Sequence, residues 1–528
     1  MLTFIRMRIF KNELVLFWIV FAGAIVFYSI NIGLSDLWSD EAYTKSMLSG
    51  TLSDLYAKFK NDLHPPLYYL GLRLYTSIFG LSTVSLRMFS VAGVLATLLL
   101  GYFAGQRIFG KQGALYVCLL LVSVPMVAVY SHQARMYSWA AFSITGVFIY
   151  SCLFLRAGTA RDLVLLLVFT VAAMYTHYYS LIAAFMANVF VLIYLVLTKN
   201  RKWINHLIVS LIAAVLYLPW FSMFIVQVKR VQSAFWAPEV SLSSFGSCFA
   251  IPFTEQFWTT PFSNTLTILM YALIVLTIIL SFKKSFSEYR FVLWLSLFIF
   301  IGTLMGAMII SLFSQPILYS RYIAVIVTML IIPTAILLTV VKTKWLKLIL
   351  ISVILFMGVR ISVSAFAFSY GPYKQTIEYI SETYPEIEKI LHIAEITAGP
   401  MVEYNGDSGL GHYWLKAEMS NVDAFTQIKQ YQKPGEFLNP GEDFCAVQFH
   451  NNPLNQNNLN LVLSESELIK KDTVFDAKFK NGIFIQLYIL KYKGSQNHSS
   501  LSSYPQSMPF RVAGTPSFIQ TGMGAPFR

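Results

Sequence analysis

Apolar residues run in long uninterrupted blocks along the first 368 positions and then stop. Blocks of membrane-spanning length lie near 13–33, 88–106, 113–130, 136–155, 163–176, 180–198, 207–226, 263–282, 291–313, 322–341 and 347–368. About twenty apolar residues in helical conformation cross a hydrocarbon core, so the pattern predicts about eleven transmembrane helices. Every second short connection is basic: Arg6, Arg8 and Lys11; Arg107 and Lys111; Arg156 and Arg161; Lys199, Arg201 and Lys202; Lys283, Lys284 and Arg290; Lys342, Lys344 and Lys347. Loops rich in Lys and Arg stay cytoplasmic. The N-terminus is therefore expected inside and, with an odd number of spans, residues 369–528 outside. The first block has basic flanks and no small-residue cleavage signal, so it reads as a signal anchor.

Beyond residue 368 the periodicity changes. Tyr373–Tyr384 reads as an amphipathic helix, and Lys389–Thr397, Phe444–Phe449 and Ile483–Lys491 read as strands. The expected architecture is an all-α polytopic bundle over 1–368 with an extracytoplasmic α/β domain over 369–493. Residues 494–528, rich in Ser, Pro and Gly, read as a disordered tail. Two outer loops are long. That at 34–87 carries half of the acids of the membrane half. That at 227–262 carries Trp236, Pro238, Pro252, Trp258 and Pro261, and is expected to hold short interfacial helices.

Composition sharpens this picture. Of 528 residues, 56% are hydrophobic and 12% charged, about half the charged fraction of a soluble domain. An ordinary soluble enzyme and a disordered chain are both excluded. The net charge of +13 is not a nucleic-acid signal. Residues 369–528 hold 13 basic and 16 acidic residues, so the whole excess sits in the membrane half, where the inside-positive bias requires it. Four cysteines rule out a disulfide scaffold; Cys118 and Cys152 fall inside spans, while a bridge between Cys248 and Cys445 on the outer side is left open. There is no internal repeat, phosphate loop, CxxC or HExxH pattern.

The ten acids of the membrane half avoid the middle of every span. Asp36, Asp40, Glu41, Asp54 and Asp62 are in the first outer loop, Glu239 and Glu255 in the later one, and Glu13, Asp162 and Glu288 in cytoplasmic flanks. Ion-coupled transporters place ionisable groups at the midplane, so chemistry is expected at the outer surface. Four segments there carry candidate groups. In Trp38-Ser39-Asp40-Glu41-Ala42-Tyr43, two adjacent carboxylates sit between aromatic rings, where partial burial would make a better base; the plain alternative is that Asp40 caps a helix starting at Glu41. In His64-Pro65-Pro66 the prolines hold His64 rigidly, as a pocket group or as a solvated turn residue. Gln133-Ala134-Arg135-Met136-Tyr137 puts Arg135 at the start of a span, on a ligand or snorkelling to lipid headgroups. Tyr319-Ser320-Arg321-Tyr322 puts another Arg at an outer edge, where the charge bias disfavours it. His177 ends the fifth span on the same side. Acids, histidines and arginines on one face of an apolar bundle suit a reaction between a hydroxyl and a lipid-linked phosphate ester. A carboxylate takes the hydroxyl proton, and guanidinium forks stabilise the departing phosphate.

The ordered segments Asp40-Glu41-Ala42-Tyr43, His64-Pro65-Pro66-Leu67-Tyr68-Tyr69, Phe79-Gly80 with Leu86-Arg87, Gln133-Ala134-Arg135-Met136-Tyr137 and Ser320-Arg321-Tyr322 resemble the motifs of family 39 type glycosyltransferases. That group includes protein O-mannosyltransferases and lipid A aminoarabinose transferases, with the GT-C membrane fold. The resemblance is closest over 34–200, thinner to about 341, and does not extend to 369–528. It implies sugar transfer from a polyprenyl phosphate to an acceptor on the outer face, with Asp40 as base and Glu41 orienting the acceptor or sharing the proton. It further implies Arg135 and Arg321 on the donor phosphate with Tyr137, Tyr322 and Gln133 beside them, and His64 in the same pocket. No metal or cofactor is implied. The C-terminal domain lacks the three-lobed repeat of the mannosyltransferases, which favours a lipid or glycan acceptor of a bacterial envelope. The expectation is an inverting transferase of the bacterial inner membrane. A lipid-linked sugar flippase and a non-catalytic assembly protein are the alternatives.

Overall fold

The computed structural model describes residues 12–233, 240–255, 259–406, 408–415, 427–431, 433–449, 456–475 and 483–494. Arg6, Arg8, Lys11, Trp236, Pro238, Glu239, Trp258 and the tail from 495 lie outside these residues. A helix stands at each of the eleven predicted spans: Glu13–Ser29, Thr83–Phe103, Gln106–Val122 continued by Pro125–Ser131, Tyr137–Arg156, Ala160–Thr176, Tyr178–Leu197, Lys202–Ser233, Pro261–Leu280, Arg290–Phe313, Val327–Val340 and Lys344–Phe366. Among the described residues, seven helices are long and apolar enough to cross a bilayer, or eight if the bent pair is one span. The protein is thus a multi-pass integral membrane protein. Glu13–Ser29, Ala160–Thr176 and Val327–Val340 are shorter, so the count of eleven rests on helix position rather than on length.

Two breaks shape the bundle. Gln106–Val122 and Pro125–Ser131 meet at 65°, because Pro125 cannot donate into the preceding turn. The predicted tenth span opens as a 3-10 segment, Ser320–Val325, and becomes α-helical only at Val327. Close packing fixes the helix that follows Arg135. A Cβ on Gly93 would lie 2.7 Å from Ser138 Oγ, so only glycine lets Thr83–Phe103 approach Tyr137–Arg156 that closely. Small residues at helix contacts are how bundles pack without a hydrophobic drive from water. At the start of helix Ala160–Thr176, Asp162 is fully buried and takes both Arg107 guanidinium nitrogens, at 2.8 and 3.0 Å. The loop at 227–262 carries a short helix at Leu242–Ala250 and a 3-10 turn at Ile251–Phe253.

The chain divides into two compact units, and the division is not at residue 368. One unit holds residues up to Ile32 and Leu63–Phe366; the other holds Gly33–Asp62 together with the chain from Ala367. The first part of the loop at 34–87 therefore packs in one compact unit with the chain from Ala367. Its helix Ser39–Met47 buries Ala42, Tyr43, Thr44, Ser46 and Met47, and so many buried positions need protein on several sides.

The C-terminal unit contains a six-stranded sheet of order β3-β2-β1-β4-β6-β5: β1 Lys389–His392, β2 Gly411–Leu415, β3 Ile428–Tyr431, β4 Asp443–Phe449, β5 Ser466–Phe475 and β6 Phe484–Tyr492. The first four strands are parallel, and β6 and β5 antiparallel. Alternate residues supply two cores. Ile390, Val447 and Leu487 pack with Ile377 and Ile380 of helix Tyr373–Thr383, whereas Leu391, Ala446 and Leu490 pack with Leu459 and Val462 of helix Gln456–Ser464. The strand expected over 389–397 ends at His392, because Glu395–Glu403 turns helical. All four cysteines are free and buried, so the bridge left open by the sequence is not formed.

Candidate active site

In the bundle, the bend after Ser131 and the start of the next helix at Tyr137 leave residues 132–136 as a tight turn. Gln133 and Arg135 are buried in it, 1% and 4% exposed. The turn is pinned by the Arg135 amide donating to Gln133 O at 2.7 Å and by Ser90 Oγ donating to Arg135 O at 3.2 Å. His64 comes from far upstream. Pro65 and Pro66 are buried and lead into helix Leu67–Phe79, so the histidine is held where the chain enters it. Arg135 Nη2 lies 3.3 Å from His64 Nε2. A guanidinium only donates, so that histidine nitrogen accepts.

His177 occupies the one-residue break between Ala160–Thr176 and Tyr178–Leu197 and caps the second helix. Its Nδ1 accepts the Tyr179 amide at 3.0 Å, which leaves the ring proton on Nε2. His177 is 3% exposed, and Nε2 finds no partner among the described residues. The rings of Tyr322, Tyr137 and His64 surround it, with centroids 5.2, 5.7 and 5.7 Å away. Tyr322 also packs on Tyr179 at 4.8 Å, and Tyr179 Oη donates to Ile317 O at 2.6 Å. Residue 321 precedes Tyr322 on the same 3-10 segment, and its guanidinium lies over the Tyr319 ring, 4.9 Å from the centroid.

The structure therefore gathers His64, Arg135, Tyr137, His177 and Tyr322 into one cluster, with Gln133 in the Arg135 turn and Arg321 beside Tyr322. The cluster holds donors of two kinds, guanidinium and imidazole, that match an anionic oxygen.

Three further residues carry the cluster and escape sequence reasoning. Gln227 Nε2 donates to the His64 carbonyl at 3.3 Å, Tyr178 donates its hydroxyl to Gln227 Oε1, and Trp220 Nε1 donates to Tyr178 Oη at 3.3 Å. The available signal was a lone glutamine directly after an apolar run; the structure shows that run continuing as one helix to Ser233.

Asp40 and Glu41 stand in the other unit, on helix Ser39–Met47. That helix opens after Trp38, which is extended. Glu41 is fully buried, and its carboxylate reaches back to the Trp38 amide at 3.4 Å. The capping role that sequence offered to Asp40 thus falls to Glu41. Asp40 is half-buried in the first turn, where the helix dipole favours a carboxylate, and its carbonyl accepts Thr44 Oγ1 at 2.9 Å. Next to the candidate motifs, His132 stacks on Phe366 at 3.9 Å and bonds Tyr28 O, and Arg87 donates to Ile32 O at 2.8 Å. Glu255 is buried and accepts Thr260 Oγ1 at 3.0 Å. Among the described residues no group of three or more His, Cys, Asp or Glu is placed to hold a metal ion.

Residues 63–226 match the family model described as dolichyl-phosphate-mannose-protein mannosyltransferase. The fold matches that of ArnT from Cupriavidus metallidurans bound to undecaprenyl phosphate, with a TM-score of 0.58 and 14% identity, over 92% of this chain and 99% of that one. The chain has a GT-C glycosyltransferase fold. ArnT in the apo state (10% identity, TM-score 0.47, over 92% of this chain and 99% of that one) and the oligosaccharyltransferase of Archaeoglobus fulgidus (12% identity, TM-score 0.49, over 74% and 63%) are also similar. No curated protein matches the chain. Within this GT-C chain, the family match opens one residue before His64 and closes one residue before Gln227. It spans His64, Gln133, Arg135, Tyr137 and His177. Asp40 and Glu41 precede it, and Arg321 and Tyr322 follow it.

Proposed function

We propose that the protein transfers a sugar from a polyprenyl-phosphate donor to a hydroxyl of a lipid or glycan acceptor on the outer face of a bacterial inner membrane. Asp40 takes the proton of the acceptor hydroxyl. The freed oxygen attacks the anomeric carbon from the side opposite the phosphate, the bond from that carbon to the phosphate oxygen breaks, and the sugar inverts. Arg135 and Arg321 hold the phosphate and take up its growing charge, and the Nε2–H of His177 adds a neutral donor. Tyr137, Tyr322, His64 and Gln133 shape the pocket. Glu41 fixes the first turn that presents Asp40. Phosphate is a good leaving group, so no general acid is needed. The N-terminus is inside and the α/β domain outside.

The observation that carries this reading is His177, buried beside Arg135 and His64 with its Nε2 donor unspent among the described residues. A buried donor enclosed by aromatic rings and next to a guanidinium suits an anionic oxygen. The fold and the match over 63–226 support the same chemistry.

The test compares lipid extracts, by mass spectrometry, from cells lacking the protein and from cells carrying wild type or Asp40→Asn. A polyprenyl-linked sugar is expected to accumulate in the deletion and in Asp40→Asn, while purified Asp40→Asn still binds polyprenyl phosphate. No accumulation in the deletion sinks the transferase; wild-type turnover by Asp40→Asn removes Asp40 as the base.

A further inference from the structure

The acid-bearing loop is tied to the α/β domain by contacts on both sides of Asp40. Before it, three consecutive residues are gripped. The Asp36 carboxylate accepts the Lys374 amide at 2.8 Å, in the first turn of helix Tyr373–Thr383. The Leu37 amide donates to Tyr404 Oη at 2.8 Å. The Trp38 indole stacks on the Tyr370 ring, 5.3 Å between centroids and 16° from parallel. After it, Lys45 Nζ pairs with Glu403 Oε2 at 2.6 Å, with the side chains 27% and 15% exposed. Glu403 ends helix Glu395–Glu403 and Tyr404 caps it, so two of the four ties come from one helix end.

The loop also closes on itself: Lys58 Nζ donates to Ser46 O, Ser49 O and Ser49 Oγ at 2.6, 3.1 and 2.7 Å, joining helix Leu52–Lys58 to the end of Ser39–Met47. The loop is a rigid helical hairpin docked at fixed points.

We infer that the C-terminal α/β domain is a positioning device for the catalytic acid, with Tyr404 and the Lys45–Glu403 pair as positioning residues. The inference rests on the reading of Asp40 as base. Leu37 is 1% exposed, so its amide has no water to turn to, and the Tyr404 hydroxyl fixes where the chain enters the Asp40 helix. Proton abstraction needs the carboxylate within hydrogen-bond reach of the acceptor, and a displacement of about 1 Å costs on the order of a hundredfold in rate. The domain's own sheet is built from other residues, so these ties can be cut without removing its core.

The experiment uses the whole chain in lipid nanodiscs and compares wild type, Tyr404→Phe, Lys45→Glu, Glu403→Lys, the double reversal, and Asp40→Asn. Hydrogen exchange is read over residues 36–48 and over β4 and β6. Transfer is read as clearance of the accumulated lipid-linked sugar in cells, and donor binding with polyprenyl phosphate. Tyr404→Phe and each single reversal are expected to speed exchange over 36–48 about tenfold, leave β4 and β6 protected, leave polyprenyl phosphate affinity unchanged, and cut transfer about tenfold. The double reversal is expected to restore both exchange and transfer. Unchanged exchange over 36–48 overturns the clamp. Faster exchange with undiminished transfer, while Asp40→Asn is inactive, overturns its positioning role. Wild-type transfer by Asp40→Asn fails the reading of the base instead, and is told apart because exchange is scored without turnover. A variant that loses β4 and β6 protection is judged by the double reversal, whose failure to recover transfer counts against the proposal.

Discussion

Arg135 Nη2 meets His64 Nε2 at 3.3 Å, joining a turn between two spans to a residue 71 positions earlier. The contact fixes the fork's orientation. Lysine keeps the charge but offers a point donor on a flexible stem. Arg135→Lys is expected to weaken polyprenyl phosphate binding about tenfold while the protein stays folded. Calorimetric titration in nanodiscs checks this, and equal affinities would place the phosphate elsewhere.

Arg321 lies over Tyr319 in the 3-10 segment that leads into helix Val327–Val340. If it holds the donor phosphate, Arg321→Ala raises the donor KM by about tenfold or more and the acceptor KM by much less. A larger effect on the acceptor would reassign the residue.

His177 separates its two jobs by ring nitrogen. Nδ1 caps a helix and Nε2 is unspent. His177→Asn keeps a side-chain acceptor for the Tyr179 amide, since asparagine is a good N-cap, and shortens the reach of the donor. Expected is near-normal thermal stability with turnover lowered about tenfold to a hundredfold. A drop in melting temperature with normal turnover per folded molecule would make His177 purely structural.

The α/β domain contains a buried histidine pair that gives it a pH dependence. His392 Nε2 and His412 Nδ1 are 2.9 Å apart, and His392 Nδ1 bonds Thr397 Oγ1 at 3.0 Å. Burial holds both below the usual histidine range, with His412 lowered from 6.5 to about 4 and His392 also disfavoured by His412. The unfolded chain takes up these protons first as pH falls. Stability is therefore full above about pH 6.5 and is lost toward pH 4, by on the order of 3 kcal/mol from His412 alone. Melting of the domain, followed by exchange at β1 and β2 from pH 7 to 4.5, is expected to steepen with acid in wild type and flatten in His412→Gln.

Much of this was written in the one-dimensional pattern. Apolar blocks located a helix at each of eleven places, seven or eight of them long and apolar enough to cross a bilayer among the described residues, because lipid demands that a crossing backbone bond to itself. The central strands β4 and β6 were legible as near-continuous buried runs, because a sheet covered on both faces needs apolar residues on both. The strands that escaped, β2, β3 and β5, are edge strands or the neighbour of one. β5 is largely solvent-facing and carries Lys470, Lys471 and Asp472, so its pattern resembles a loop.

The candidate residues were legible as chemistry and not as geometry. Arg135, His177 and His64 stood out because charge and imidazole are costly in a bundle unless used. That Arg135 grips His64, that Gln227 and Tyr178 brace it, and that Glu41 rather than Asp40 caps its helix depend on side chains from distant segments meeting at ångström range. The sequence by itself determined a membrane-spanning bundle with a soluble domain attached, because burial in lipid is decided residue by residue. Only the tertiary structure decided that residues 33–62 fold with the C-terminal domain, because a helix buried on several sides goes where complementary surface exists, whatever its place in the chain.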